Sequence, residues 1–81
     1  MDIKLYALST CPYCRMTRKY LDGEGVDYQL TEVDLLEGDE REAAIAEVQR
    51  VSGGKSFPVV VIDDEVIVGF NKKRMKQLLN G

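Results

Sequence analysis

The sequence predicts an α/β fold in which a mixed four-stranded sheet carries helices on both faces. Strand-type and helix-type segments follow one another along the 81 residues in the order βαβαββα. A strand-helix-strand unit is parallel and right-handed, whereas two strands joined by a two-residue turn are antiparallel. Because this short chain contains both arrangements, we expect one domain spanning residues 1–81 with a mixed sheet.

The first two strands are indicated by bulky, partly alternating residues. Residues 2–8 form the first strand, whose core-facing side chains we expect to be Ile3, Leu5 and Ala7. Residues 27–34 form the second strand, although its alternation slips after Thr31. A helix-type segment separates the two strands, so we expect them to run parallel to each other.

The first helix is predicted to begin at or just after Cys11 and to end near the glycines of residues 23–25. Pro12 is tolerated in a first helical turn, because the N–H that it lacks would have no partner there. The hydroxyls of Ser9 and Thr10 are available to cap this helix. The end of the first strand therefore leads directly to the first cysteine.

The second helix is predicted to open at Gly38 and Asp39, where Asp39 and Glu42 have the spacing of a capping box. Three- and four-residue intervals separate its apolar residues Ala44, Ile45, Val48 and Val51. The Gly53-Gly54 pair ends this helix.

The C-terminal part of the chain predicts a hairpin followed by a third helix. Two strand-type runs, 59–62 and 65–68, are separated only by Asp63-Asp64, which favours an antiparallel hairpin. Asn71 is in position to cap the last helix. The apolar stripe of that helix consists of Met75, Leu78 and Leu79.

Composition excludes several classes of function. The net charge of −3 and the lack of base-reading motifs argue against nucleic-acid binding. No apolar run is longer than the four residues of Val59 to Ile62, which is far too short for a membrane span. The chain has no histidine, which excludes His-paired cysteine nucleophiles and most zinc chemistry. One close cysteine pair without a secretory leader predicts a cytoplasmic protein rather than a secreted disulfide scaffold.

The two cysteines, Cys11 and Cys14, stand one helical turn apart. A disulfide between them would be a weak structural staple, since closing a four-residue ring contributes only about 2 kcal/mol before strain. The helix N-terminus and Arg15 favour a thiolate at Cys11, because both stabilise a negative charge. We therefore expect Cys11 to attack disulfides and Cys14 to attack the resulting mixed disulfide.

Two other interpretations of the cysteine pair stay open on the residues alone. Two buried cysteines three residues apart sometimes occur by chance, as small apolar side chains. A zinc or iron-sulfur site is the second possibility, but two thiolates fall short of four ligands, so a dimer or an added thiol would be needed. The position of the pair, where a first strand meets a helix, favours a redox motif over both.

The chain resembles the glutaredoxins in three places that together span most of it. These are the Cys-Pro-Tyr-Cys motif of residues 11–14, the proline that opens the third strand at Pro58, and the Gly-Phe step at residues 69–70. The Gly-Gly-Lys-Ser-Phe-Pro pattern of residues 53–58 is most similar to small bacterial and archaeal members. The resemblance implies a thioredoxin fold and a cis bond between Phe57 and Pro58.

The resemblance also implies a set of substrate-binding residues. In glutaredoxins the residue before the cis-proline, here Phe57, offers its backbone to the substrate in the manner of an added strand. Gly69 would let backbone come close to the cysteines, although a bulge in the strand is an equal alternative. The remaining implied positions are Pro12, Tyr13, Pro58, Phe70 and Asn71.

Two departures from the family pattern concern glutathione. Dithiol glutaredoxins usually hold the glycyl carboxylate of glutathione with a lysine three residues before the first cysteine, where this chain has Leu8. They also carry a Gly-Gly-x-Asp step where this chain has the residues 68–72, Val-Gly-Phe-Asn-Lys. Each lost charge-assisted hydrogen bond typically costs about 1.5 to 3 kcal/mol.

The sequence therefore predicts a monomeric thiol-disulfide oxidoreductase that needs no bound cofactor or metal. Its expected partners are glutathione and proteins that contain disulfides. Glutathione is the reductant that the resemblance implies, and a flavoprotein of the thioredoxin reductase type is the alternative that the lost contacts favour.

Overall fold

The computed structural model of the chain describes residues 2–54 and 56–80. The helices and strands follow the predicted order βαβαββα. Their bounds are β1 Ile3–Ala7, α1 Pro12–Gly23, β2 Gln29–Glu32, α2 Gly38–Ser52, β3 Val59–Ile62, β4 Glu65–Val68 and α3 Lys72–Asn80. A short 3-10 turn, Val33–Leu35, links β2 to the loop before α2.

The four strands form one mixed sheet in the order β2-β1-β3-β4. β1 and β2 are parallel, whereas β1 pairs with β3 and β3 pairs with β4 in antiparallel fashion. Leu5 lies at the centre, paired with Leu30 of β2 on one side and with Val60 of β3 on the other. The predicted mixed sheet and the predicted hairpin are confirmed.

Two apolar clusters place helices on both faces of the sheet, as predicted. The larger cluster joins α1 and α3 to the sheet through buried residues that include Ile3, Leu5, Ala7, Cys14, Leu21, Val60, Ile67 and Met75. The smaller cluster joins α2 to the opposite face through Tyr6, Val48 and Val59. The prediction that Ile3, Leu5 and Ala7 of β1 face the core is confirmed. Tyr6 points to the opposite face of the sheet, where it packs in the smaller cluster.

The second strand is shorter than predicted. It ends at Glu32, and residues 33–35 turn away as a 3-10 helix in which Val33 is buried. The alternation slips after Thr31 because the chain leaves the extended conformation there. The turn places Asp34 at the end of the sheet where β1 also ends.

Two of the predicted helix caps are wrong. Cys11 itself is the N-cap of α1, and within the described residues no side chain caps this helix. The Ser9 hydroxyl donates instead to Asp34. Glu37 is the N-cap of α2, where no described side chain makes a capping hydrogen bond, so the capping box at Asp39 does not form.

The other predicted helix ends are confirmed. Asn71 caps α3, because its side-chain oxygen accepts a hydrogen bond from the Arg74 N–H at 3.0 Å. Gly53 ends α2 in the left-handed conformation with φ 76°, and its N–H donates to the Gln49 carbonyl at 2.9 Å. In the part of the chain that the structure describes, no helix combines the length and the apolar character needed to cross a membrane.

Candidate active site

Cys11 lies at the junction of β1 and α1, at the N-terminus of the helix. Its backbone is extended, with φ −83° and ψ 120°, while its carbonyl already accepts the first helical hydrogen bond, from the Arg15 N–H at 3.2 Å. The Cys11 N–H donates to the Leu8 carbonyl at 3.2 Å, which closes the loop tightly. The Cys11 side chain is half-buried and packs against the larger apolar cluster, where the free N–H groups of the first helical turn face it.

Cys14 lies one turn further along α1, on the face of the helix that packs against the sheet. Its side chain is 1% exposed, and its sulfur accepts a hydrogen bond from the Leu8 N–H at 3.4 Å. Both cysteines carry free thiols. Leu8 therefore contacts both cysteines through its backbone, with its carbonyl on Cys11 and its N–H on Cys14.

The surroundings push the pKa values of the two thiols in opposite directions. Partial burial raises the pKa of Cys11, but hydrogen bonds from the Cys14 thiol and from the backbone N–H groups of Cys14 and Tyr13 outweigh burial and lower it. Burial is the main cause that raises the pKa of Cys14 to about 11, and the neighbouring Cys11 and Asp34 raise it further. The hydrogen bond from the Leu8 N–H lowers this pKa but does not outweigh the other effects. The lowering at Cys11 thus comes from the first-turn N–H groups, as predicted, and from Cys14, whereas the exposed Arg15 is not one of its causes.

Asp34 is a charged residue near the cysteines that sequence reasoning missed. Its carboxylate accepts hydrogen bonds from both the N–H and the hydroxyl of Ser9, in the loop that leads to Cys11. Hydrogen bonds from the Ser9 hydroxyl and N–H lower the pKa of Asp34, so the group is ionised at neutral pH. No local pattern could have indicated this contact, because the two residues are 25 positions apart.

The segments around Phe57 and Gly69 lie side by side next to the cysteines. The bond between Phe57 and Pro58 is cis, as the resemblance implied. The Gly69 N–H donates to the Pro58 carbonyl at 2.8 Å, and both Phe57 and Phe70 pack against the same cluster as Cys11. Four of the predicted substrate-binding residues are therefore brought together at the cysteine end of the sheet.

Gly69 has a backbone conformation that favours glycine, and its expected close approach to a substrate stays a prediction. It follows β4 with φ 82°, a region that favours glycine, so it is not a bulge inside the strand. A Cβ atom built on Gly69 would meet no atom of the described chain within 4 Å. The space beside Gly69 is open to a bound molecule.

The other predicted substrate-binding residues are exposed. Pro12 opens α1, and the Tyr13 side chain beside it is 61% exposed. Asn71 is exposed too, but its side-chain oxygen is engaged in capping α3. Their contacts with a substrate stay predictions.

The described residues offer no group of three or more cysteine, aspartate or glutamate side chains that could hold a metal ion. What the site does contain is two thiols of different pKa at one helix terminus, beside a cis-proline. This arrangement suits thiol-disulfide exchange.

Comparison with known protein families agrees with this chemistry. The model of the family described as Glutaredoxin matches residues 3–67, which is most of the chain. The chain belongs to the glutaredoxin family. It is a glutaredoxin-like thiol-disulfide oxidoreductase with a redox-active Cys-x-x-Cys pair, and its fold is the thioredoxin fold.

Three relatives illustrate the similarity. The crystal structure of a glutaredoxin from Archaeoglobus fulgidus is 42% identical, with a TM-score of 0.95 over 99% of this chain and 87% of that one. A glutaredoxin-like 8.6 kDa protein from Clostridium pasteurianum is 35% identical over 95% of this chain and 96% of its own length. The NrdH-redoxin of Escherichia coli, a glutaredoxin-like protein described as having a thioredoxin-like activity profile, is 29% identical with a TM-score of 0.77, over 96% and 95% of the two chains.

Proposed function

We propose that the protein reduces protein disulfides and glutathione mixed disulfides through a dithiol cycle in which Cys11 attacks and Cys14 resolves. The observation that carries this proposal is the placement of the two thiols: Cys11 is half-buried at the N-cap of α1, and Cys14 is 1% exposed one turn further along the helix. This placement lowers the pKa of Cys11, through hydrogen bonds that outweigh its burial, and raises the pKa of Cys14 to about 11 through burial. A thiolate attacks a disulfide, whereas a thiol hardly reacts. At neutral pH the first attack therefore belongs to Cys11.

In the first step the Cys11 thiolate attacks one sulfur of the substrate disulfide. A new sulfur-sulfur bond forms to Cys11, the substrate disulfide breaks, and the leaving sulfur departs as a thiolate that takes up a proton from water. The Cys14 thiol stays protonated during this step, because it is buried and its pKa is high. Cys14 therefore does not compete for the substrate.

In the second step Cys14 loses its proton and attacks the Cys11 sulfur. Part of the raised pKa of Cys14 comes from Cys11, both as a hydrogen-bond partner and as a charge. Once Cys11 is in a mixed disulfide it carries no thiolate charge, so this part of the barrier to deprotonation of Cys14 is lost. The Cys11-Cys14 disulfide forms as the bond between Cys11 and the substrate sulfur breaks, and that sulfur leaves as a thiolate that takes up a proton from water. Over the two steps the two electrons of the dithiol have reduced the substrate disulfide to two thiols.

Phe57 supports a role for this site in holding an extended peptide. It packs against the cluster that contains Cys11 and precedes the cis-proline, and an extended segment laid along its backbone would bring a disulfide to Cys11. Tyr13 is 61% exposed beside Pro12, and Phe70 packs against the same cluster as Phe57, so both are candidates to contact the flanks of the substrate.

The oxidised pair has to recover two electrons. Glutathione is the reductant that the family suggests: one molecule attacks the Cys11-Cys14 disulfide, and a second releases the dithiol with formation of glutathione disulfide. A flavoprotein of the thioredoxin reductase type is the second candidate. It is favoured by Leu8, which stands where a glutathione-binding lysine is usual. The thioredoxin-like profile described for the similar E. coli NrdH-redoxin supports the same candidate.

The donor is tested by supplying each reductant separately to the protein and following disulfide reduction. One assay contains glutathione, glutathione reductase and NADPH, and the other contains thioredoxin reductase and NADPH. Faster NADPH consumption in one assay identifies the donor, and no consumption above the protein-free rate in either assay contradicts both assignments.

The roles of the cysteines are tested with two variants that differ only in which thiol is removed. Cys14→Ser is expected to accumulate a mixed disulfide with its substrate, visible as a mass increase under non-reducing conditions. Cys11→Ser is expected to lose exchange altogether. An active Cys11→Ser protein together with a Cys14→Ser protein that forms no adduct would reverse the assignment.

A further inference from the structure

The charges of this acidic protein are unevenly distributed over its surface. Although the net charge of the chain is −3, α1 and α3 together carry seven basic side chains and one acidic side chain. On the opposite face of the sheet, α2 carries four acidic and two basic side chains. The bases of the first surface are Arg15, Arg18 and Lys19 in α1 and the four basic residues between positions 72 and 76 in α3.

These seven side chains form one surface, because α1 and α3 pack side by side on the same face of the sheet. Leu21 of α1 and Met75 of α3 are buried in the same apolar cluster. At the surface of the protein, the Lys72 Nζ lies 5.8 Å from the centre of the Tyr20 ring, within the range of a cation–π contact between the two helices. We call the surface that carries the seven bases the basic face.

Most charges of the basic face are not neutralised within the described chain. Arg74 pairs with Glu65 of β4 at 3.2 Å, and the only other ion pair among the described residues, Arg50 with Glu47, lies on α2. The other bases of the face therefore have no ion-pair partner in the part of the chain that the structure covers. Their charge is available to attract an anionic partner.

The basic face begins at the attacking thiol. The Arg15 N–H donates to the Cys11 carbonyl at 3.2 Å, and Lys19 follows one turn later, about 12 Å from Cys11 along the helix axis. An extended peptide advances about 3.3 Å per residue. Acidic residues three to five positions away from a cysteine that is bound to Cys11 therefore reach the α1 part of the basic face.

Two large apolar side chains among these charges favour a protein as the occupant. Tyr13 and Met16 are 61% and 46% exposed, and they flank Arg15 in the first turns of α1. Tyrosine, methionine and arginine are enriched at interfaces between proteins. A long polyanion such as a nucleic acid would in addition be repelled by the acidic remainder of the molecule.

We propose that the basic face docks an acidic surface of a protein partner, which thereby presents its disulfide to Cys11. The inference rests on the proposed dithiol exchange and adds the charge of the partner. Attraction between opposite charges accelerates the encounter and orients the partner before the sulfur atoms meet. The gain therefore appears in the second-order rate of disulfide reduction and is lost at high salt.

The test compares disulfide peptides that differ only in charge. Each peptide is the symmetrical disulfide of acetyl-Cys-Gly-Gly-Xaa-Xaa-Xaa-Xaa-amide, with glutamate, glutamine or lysine as Xaa, and a second set has the reverse order of residues. Reduction by excess dithiol protein is stopped with acid and measured by chromatography.

The glutamate peptide is expected to react roughly tenfold faster than the glutamine peptide at low salt in at least one of the two orders, and the lysine peptide more slowly. Raising the salt from about 20 mM to about 500 mM should reduce the preference to less than about twofold, because the screening length falls from about 20 Å to about 4 Å.

A matched pair of double variants assigns the preference to the basic face. Lys19→Glu with Lys73→Glu reverses two of its charges, and Arg41→Glu with Arg50→Glu makes the same change in net charge on α2. All four side chains are exposed, so the substitutions leave the core unchanged. The first variant should lose the preference for glutamate while keeping the rate with the glutamine peptide, whereas the second variant should keep most of the preference.

The outcomes separate this inference from the proposed function. Equal low-salt rates with the glutamate and glutamine peptides would overturn the docking role while leaving dithiol exchange intact. An equal loss of preference in both double variants would overturn it as well, because net charge rather than the basic face would then be the cause. Retardation of a single-stranded oligonucleotide in a gel at about 150 mM salt, lost in the Lys19→Glu with Lys73→Glu variant, would reassign the face to nucleic acid and contradict the proposal. No reduction of the glutamine peptide by the wild-type protein would contradict the proposed function itself.

Discussion

The carboxylate of Asp34 accepts two hydrogen bonds from Ser9, one from its backbone N–H at 2.9 Å and one from its hydroxyl at 2.5 Å. The two residues meet because β1 and β2 are parallel neighbours, so their carboxyl ends lie at the same end of the sheet. The pairing runs from Lys4 with Gln29 to Ala7 with Glu32. Ser9 belongs to the loop between β1 and Cys11. The carboxylate therefore anchors the segment that positions the attacking thiol.

Asp34→Asn is expected to lower the melting temperature at pH 7 by weakening both hydrogen bonds from Ser9. The bonds from the Ser9 hydroxyl and N–H lower the pKa of the folded Asp34 below that of the unfolded chain, about 3.9 for a free aspartate. The stabilisation is therefore complete above about pH 4 and is lost as the pH falls through the lowered folded pKa. Melting curves between pH 2 and pH 7 should show the wild type and the variant converging at the acidic end.

Asp27→Asn serves as the control for that measurement, because Asp27 is an exposed carboxylate in the loop before β2. Its melting temperature should stay close to that of the wild type at every pH. A difference between wild type and Asp34→Asn that persists unchanged at pH 2 would mean that the ionised carboxylate is not the stabilising group.

Alkylation should distinguish the two thiols of the reduced protein. Hydrogen bonds lower the pKa of Cys11 despite its partial burial, and burial raises the pKa of Cys14 to about 11. Limited treatment with iodoacetamide at pH 7 should therefore give a singly modified protein that carries the label on Cys11, as read by peptide mass mapping. Labelling of Cys14 should become appreciable only in strongly alkaline solution, and equal labelling of both thiols at pH 7 would disprove the order of reactivity.

Gly69→Ala should destabilise the protein by about 1 kcal/mol or somewhat more, because an L-residue at positive φ is strained by about 1 to 2 kcal/mol. The strain is conformational, since a Cβ at Gly69 meets no atom of the described chain within 4 Å and φ is 82°. Gly23→Ala is the matched control. Gly23 has equally open surroundings within the described chain, but it is the last residue of α1 and does not have a positive φ. It should leave stability unchanged or raise it slightly. Urea unfolding measures both, and equal midpoints for the two variants would contradict the argument.

Asn71→Ala should cost about 1 kcal/mol of unfolding free energy, because it removes the cap whose oxygen accepts the Arg74 N–H. Asn71→Asp should keep most of that stability, since aspartate caps a helix as well as asparagine does. Thermal or urea unfolding of the two variants checks this. If Asn71→Asp were as unstable as Asn71→Ala, the hydrogen bond to α3 would not be the reason for the loss.

The helix caps illustrate how far local sequence reaches. Ser9, Thr10 and Cys11 all precede α1, and nothing in the local sequence decides which of them becomes the cap. Asp34 binds Ser9 from the 3-10 turn that follows β2, which removes Ser9 from the choice, and Cys11 is the capping residue with its sulfur at the free N–H groups of α1. Asn71 was predicted correctly because its cap is formed within three residues along the chain.

By itself the sequence determined the order of the strands and helices, the parallel and antiparallel connections and the pairing of Cys11 with Cys14 as a redox motif. These features depend on periodicity, turn length and spacing within one helical turn, so neighbouring residues suffice to specify them. The tertiary structure alone decided that Cys14 is buried, that Asp34 holds Ser9, and that Leu8 and Phe57 form one wall of a cavity. Those contacts join residues from different elements. They exist because the strand order β2-β1-β3-β4 brings the segments that follow β1 and β2 and the segment that precedes β3 to the same end of the sheet.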